Sequence, residues 1–169
     1  MTDEVCSAAS LSSMIKSSTP GSEAEARQPD RLCKFCAVTP ENGFTIEESD
    51  AVENGLIAFH VKPRPAGKIH LLVVPRDQHI TSVKALDSSD FGLVLRMVRM
   101  AKRLLKEKGF SEEKQILAFH NPPSVWQLHL HAIGLPWTES EKHHFEKSNP
   151  RYVTASEQLG LLAEKGFAK

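Results

Sequence analysis

Apolar side chains recur at every third or fourth position through Phe91, Val94, Leu95, Val98, Ala101, Leu104 and Leu105. That is the spacing of one buried helix face. Asp90 ahead of the run and Gly109 behind it supply start and stop signals, so the pattern predicts a helix from Phe91 to Lys108. Other apolar runs are short. Gly43 to Glu48 and Gly55 to His60 read as two strands, and Ile69 to Pro75 as a buried β-branched strand closed by its proline. Gln115 to His120 and Val125 to Ile133 read as two more, joined by Asn121-Pro122-Pro123-Ser124. Lys62-Pro63-Arg64-Pro65-Ala66-Gly67 cannot be regular, because its prolines lack donors and its glycine invites a turn; it is a basic loop. Near the end, Thr154-Ala155-Ser156-Glu157 is a capping box before Leu159, Leu161 and Leu162, with Gly166 behind, which predicts a short C-terminal helix. The composite is an α+β domain: an antiparallel sheet of about five strands, one long helix and one short one.

Length changes the picture little, since 169 residues suit a single core. Composition divides the chain further. The first thirty residues hold seven serines, two prolines and little apolar material, too little to offset ordering entropy, so 1–30 reads as disordered. A folded domain then occupies 31–137, and 138–169 is a charged tail carrying the short helix. Lys plus Arg equals Asp plus Glu at 21 each, so no global field draws the chain to nucleic acid or an anionic membrane. No uncharged apolar run approaches the ~20 residues of a membrane span. The acidic start Met1-Thr2-Asp3-Glu4 does not look like a targeting signal, which favours cytoplasm or nucleus. Arg96, Arg99, Lys102, Arg103, Lys106 and Lys108 share the polar face of the long helix. That row is either a solvated face or a phosphate track, the former being the commoner use.

Eight histidines are the compositional outlier. In a strand Gln127, His129 and His131 fall on one face, with Leu128, Leu130 and Ala132 on the other, so the two imidazoles sit roughly 7 Å apart. A single strand histidine is usually structural; two on one face beside Ser124 and a polar loop point to chemistry. One imidazole can attack phosphorus while the other stabilises phosphoryl oxygens or the leaving group. The rival use of the pair is as zinc ligands activating water, which needs a third ligand. Cys33-x-x-Cys36, in a chain with three cysteines, is either half of a metal site or two reduced thiols.

The run Gln127-Leu128-His129-Leu130-His131-Ala132-Ile133 resembles the signature of the histidine triad (HIT) superfamily, His-φ-His-φ-His-φ-φ with φ apolar, its first histidine replaced by glutamine. Further matches run from Cys33 to Cys36, through Ala58-Phe59-His60 and His70-Leu71-Leu72-Val73-Val74-Pro75, to His79 and Ser124. Phe119 to Ser124, Lys142-His143-His144 and Arg151-Tyr152-Val153 resemble the branch that contains aprataxin and the third Hint-type proteins. The resemblance implies a HIT-like fold whose 31–137 domain is catalytic, needs no cofactor for turnover, and acts on adenosine nucleotides or adenylylated substrates. It implies that His129 attacks the α-phosphate, that His131 hydrogen-bonds the phosphate and helps the leaving group, that His70 and Gln127 stand beside them, and that Ser124 donates to a phosphate oxygen. It also implies that His120 and Lys142 line the phosphate or leaving-group side, and that Phe35, Ile57 and Phe59 form the nucleoside pocket. Val61 stands where such proteins carry an acidic ribose ligand. In zinc-bearing relatives the ligands correspond to Cys33, Cys36, His79 and Gln127; glutamine is a poor zinc ligand, so a structural zinc would rest on three. Hint-type relatives pair through the long helix and a strand, which makes a homodimer an expectation of the same kind.

The leading functional expectation is therefore an adenosine phosphoramidase or related nucleotidyl hydrolase. An aprataxin-like enzyme removing AMP from adenylylated nucleic-acid 5′ ends is the alternative, disfavoured by the neutral net charge. Gln127 and Val61 leave a third reading, a nucleotide-binding protein with weakened catalysis.

Overall fold

A computed structural model describes residues 27, 32–52 and 55–167. Apart from Arg27, the segment expected to be disordered lies outside the described residues. Strands β1 (Ile46–Ser49), β2 (Leu56–His60), β3 (Gly67–Pro75), β4 (Gln115–His120), β5 (Leu130–Trp137) and β6 (Tyr152–Thr154) form one antiparallel sheet in the order β1-β2-β3-β5-β4-β6. Helix α1 (Phe91–Glu107) and helix α2 (Ala155–Phe167) are joined to it by loops and short 3-10 turns.

The sheet has six strands where the pattern predicted about five. β6 escaped notice because its three residues are too few to show a period and all are only half-buried. It pairs with β4, placing Tyr152 opposite His120 and Val153 opposite Phe119. The predicted strand from Val125 is also corrected: β5 begins at Leu130. Ahead of it, Gln127 N–H closes a tight turn on Val125 O at 2.9 Å and Leu128 N–H donates to Ile80 O at 2.5 Å, so neither amide is free for the ladder.

Period-two alternation separates two faces. Leu71, Val73, Leu130 and Ala132 turn toward α1, where they pack with Val94, Met97, Ala101 and Leu105. Ile57, Phe59, Leu72 and Val74 turn to the opposite face and form a smaller apolar cluster with Phe35 and Phe44. His70 and His131 alternate with the helix-facing residues, so their imidazoles lie on the face opposite α1. The basic row of α1 is therefore remote from it, and much of it is neutralised: Arg103 pairs with Glu48 and Glu107, Lys102 with Glu112, and Lys108 with Glu47.

Helix ends follow the local chemistry read above. Gly109 takes φ 86°, and its N–H and that of Phe110 satisfy the carbonyls of Lys106 and Leu105. Asp90 accepts from Asp87 N–H and is gripped by Arg27 at 2.5 and 2.9 Å, which ties the described N-terminal residue to the start of α1. At α2, Thr154 and Glu157 cap each other's backbone amides at 2.8 and 3.1 Å, as expected of a capping box.

Candidate active site

β3, β5 and β4 are neighbours in the sheet, and their register brings His70, His131 and His120 together, with His129 just ahead of β5 as a fourth imidazole. The ring of His131 lies 5.1 Å from that of His70, 4.8 Å from His120 and 5.0 Å from His129, centroid to centroid. Phe145, from the turn before β6, packs against three of them at 4.9 to 5.7 Å.

Backbone partners settle where the ring protons sit. Ala66 N–H donates to His70 Nδ1 at 3.1 Å, so His70 carries its proton on Nε2. That proton is donated to His131 Nδ1 at 2.9 Å, which leaves the His131 proton on Nε2. His131 Nε2 is buried and has no hydrogen-bond partner among the described residues. His129 has the reverse arrangement: its Nδ1 donates to Gln127 O at 2.7 Å, so its Nε2 carries a lone pair. The start of β5 and the residue just ahead of it thus present a ring with a free lone pair and a ring with a free N–H, 5.0 Å apart centroid to centroid.

Burial keeps these rings neutral. It lowers His129 to about 4 and His70 to about 3, with neighbouring imidazoles adding to the effect, while the Gln127 carbonyl partly opposes it at His129. Burial likewise holds His131 well below its ordinary value, reinforced by His129, His70, His120 and His144. His120 is lowered chiefly by burial, against the carbonyl of His144 that accepts its Nε2–H, and further by the charge of Arg151. At neutral pH the His129 lone pair is available for attack.

The cleft over these rings has two ends. Toward β1 and β2, Phe35 stands edge-on to His129 at 5.3 Å and to Phe59 at 5.4 Å, with Phe44 behind. Phe35, Phe44, Phe59 and Val61 line an aromatic hollow there. Ile57 is buried beneath this layer. At the other end, Ser124, His120, His131 and His70 line a polar cavity with Arg64, Glu141, His144 and Arg151. Val61 borders both hollows. Lys142 is not in that lining; its ammonium lies 3.9 Å from Glu146.

Gln127 is fully buried and turned away from the rings. Its Oε1 accepts from Ile80 N–H, and its Nε2 donates to Pro75 O and Gln78 O. The amide thereby clamps the turn after β3, while the same residue's carbonyl orients His129. That turn carries His79, whose Nδ1 lies 3.1 Å from Cys36 Sγ, and the donor atoms of Cys33, Cys36 and His79 all fall within 4.8 Å of one another. Two thiolates and an imidazole this close fit one zinc ion with a fourth position left to an outside ligand; the Gln127 amide is already committed to backbone groups.

Phe145, Glu141, His144, Arg64 and Arg151 were not legible as site residues. The available signal was Phe145, the lone apolar residue in the charged stretch 138–151. A charged stretch that folds back needs an apolar anchor.

Residues 32–145 match the family described as scavenger mRNA decapping enzyme C-terminal binding. The chain is 33 % identical to mouse adenosine 5'-monophosphoramidase HINT3 over 69 % of its own length and 71 % of the relative's. It is 27 % identical to chicken aprataxin over 60 % of its length, a match that spans 34 % of aprataxin. Among solved structures, a HIT family hydrolase from Legionella pneumophila superposes with a TM-score of 0.54 at 28 % identity, covering 62 % of this chain and 93 % of that one.

Proposed function

The chain belongs to the histidine triad superfamily, near its HINT3 and aprataxin members, and from that premise we propose that it hydrolyses adenylylated substrates, releasing AMP through a nucleotidyl intermediate on His129. One observation carries this reading: His129, with its lone pair on Nε2, lies 5.0 Å ring to ring from His131, whose buried Nε2–H has no partner among the described residues. In the proposed reaction His129 Nε2 forms a bond to the α-phosphorus as the bond to the leaving group breaks. The leaving group takes up a proton from solvent at the open end of the cleft. His131 Nε2–H donates to the phosphoryl oxygen, where charge develops in the transition state. Water then attacks phosphorus, its proton returns to solvent, and AMP departs with His129 restored.

On this reading the aromatic hollow of Phe35 and Phe59 takes the nucleoside, and Ser124 and His120 meet the phosphate. Ile57 backs the hollow, and Gln127 and His70 act by holding His129 and His131 in their tautomers. Cys33, Cys36 and His79 would hold a zinc ion that braces the turn of His79, remote in role from bond cleavage. A phosphoramidate is preferred to an adenylylated nucleic-acid end, because the cationic face of α1 lies on the other side of the sheet and cannot track a phosphate backbone toward the cleft. No helix among the described residues is long and apolar enough to cross a membrane.

The test is His129→Ala, assayed with an adenosine phosphoramidate, a dinucleoside polyphosphate and a 5′-adenylylated oligonucleotide. The wild type is expected to favour the phosphoramidate and to yield a trappable AMP adduct on His129; the variant is expected to show neither turnover nor adduct. Turnover retained by the variant overturns the covalent mechanism.

A further inference from the structure

Arg151 immediately precedes β6, and its backbone is held on both sides of the α-carbon. Its N–H donates to Asn149 Oδ1 at 3.0 Å, and its carbonyl accepts from Asn121 N–H at 2.8 Å. Tyr152, the next residue, is in register with His120. From this anchored position the side chain crosses the Asn121 to Ser124 loop. Its Nε donates to Pro122 O at 2.9 Å and its Nη2 to Ser124 Oγ at 3.3 Å. A guanidinium has five donors and no acceptor, so in the second contact the serine oxygen must accept. The hydroxyl proton is then free for a different acceptor. Ser124, Arg151, His120 and His131 border one cavity.

We propose that Arg151 is a positioning residue: by occupying a lone pair of Ser124 Oγ it aims the Ser124 O–H into the histidine cleft as a donor to the substrate phosphate. The proposal rests on the reading of Ser124 as a phosphate ligand. Ser124 is exposed, and without the guanidinium its hydroxyl would rotate among water partners. A cation on the oxygen also strengthens the O–H as a donor. Lysine cannot replace this arrangement, since one ammonium does not reproduce the fork that spans Pro122 O and Ser124 Oγ. The same charge disfavours protonation of His120, consistent with its proximity to the ring.

A double-mutant cycle tests the proposal. Wild type, Arg151→Met, Arg151→Lys, Ser124→Ala and the Ser124→Ala/Arg151→Met double variant are compared for kcat and KM with an adenosine phosphoramidate, and for AMP affinity by calorimetry. Arg151→Met is expected to lower kcat and AMP affinity by roughly tenfold each, the scale of one charge-assisted hydrogen bond. Arg151→Lys is expected to recover only a minor part, and, if the methionine variant fails to fold, it carries the cycle in its place. In the Ser124→Ala background the Arg151 substitution is expected to cost less than about twofold, because the group it positions is gone. Equal losses in both backgrounds, or full rescue by lysine, overturn the proposal. A wild type that binds AMP and shows the non-additive cycle in affinity but turns over no substrate removes the hydrolase reading and leaves the positioning role standing. Turnover with an additive cycle does the reverse, and absence of both turnover and AMP binding overturns both.

Discussion

Burial sets the protonation of the imidazole cluster, and Phe145 supplies much of the cover. Its ring packs against His70, His120 and His131, all held below the ordinary histidine value chiefly by burial. Removing the phenyl admits water and raises these values toward 6.5. Phe145→Ala is therefore expected to raise the titration midpoints of His70, His120 and His131, whereas His129, which packs against Phe35, is expected to move less. The measurement is the imidazole titrations of the variant by NMR; midpoints of His70, His120 and His131 that stay in place refute the role assigned to the phenyl ring. Phe145→Leu, which keeps most of the cover, is expected to shift less. At this scale the sequence was partly legible. The two-residue spacing of His129 and His131 brought out the candidate pair, although Gln127, read on the same face, lies ahead of β5 and turns its amide away from the rings. The partners that decide the tautomers, Ala66 and Gln127 O, were not legible, since backbone groups leave no mark in residue identity. Phe145, Glu141 and Arg151 were missed because they reach the cleft only through the return of the tail.

Elements were legible in proportion to their length. The period of α1 fills 17 residues, and its observed bounds differ from the expected ones by one residue at the C-terminal end. The three residues of β6 offered no period, yet they carry weight: β6 covers the outer edge of β4 and leads directly into α2, whose first turn is held by Thr154 and Glu157. Thr154→Ala removes a hydroxyl that both accepts from Glu157 N–H and donates to its carboxylate. It is expected to cost about 1 kcal/mol in urea unfolding. Because β6 also anchors Arg151, the variant should lose nucleotide affinity no further than this local loosening carries; an unfolding midpoint equal to wild type contradicts the capping role. β5 shows the converse. Its sequence continues the strand pattern back to Val125, but the amide of Leu128 is taken by Ile80, so a contact from a distant turn ends the strand early.

Over the whole molecule, His70, His129 and His131 make folding pH-dependent. Their folded values lie below the unfolded value near 6.5, so below that pH the unfolded chain binds protons that the folded chain refuses. The stability is fully present above pH 6.5 and is lost as pH falls toward about 4 for His129 and about 3 for His70. Between neutrality and pH 5, above the range in which ordinary carboxylates titrate, each such histidine costs roughly 2 kcal/mol. Urea midpoints are expected to fall steadily across that range, and less steeply for His70→Asn; a midpoint independent of pH would mean that the rings titrate freely in the fold. Sequence alone determined the fold class, the long helix, most strands and the pairing of His129 with His131, because those follow from periodicities carried by neighbouring residues, while the choice of His129 as candidate nucleophile came from the family resemblance. Tertiary structure alone decided which ring nitrogen is free, how the Gln127 amide is spent, and that the tail closes the polar end of the cleft. The His131 tautomer and the bonds of the Gln127 amide depend on groups tens of residues apart, and those of His129 and His70 on nearby backbone groups whose orientation the fold sets, so neither is written in the pattern of residue types.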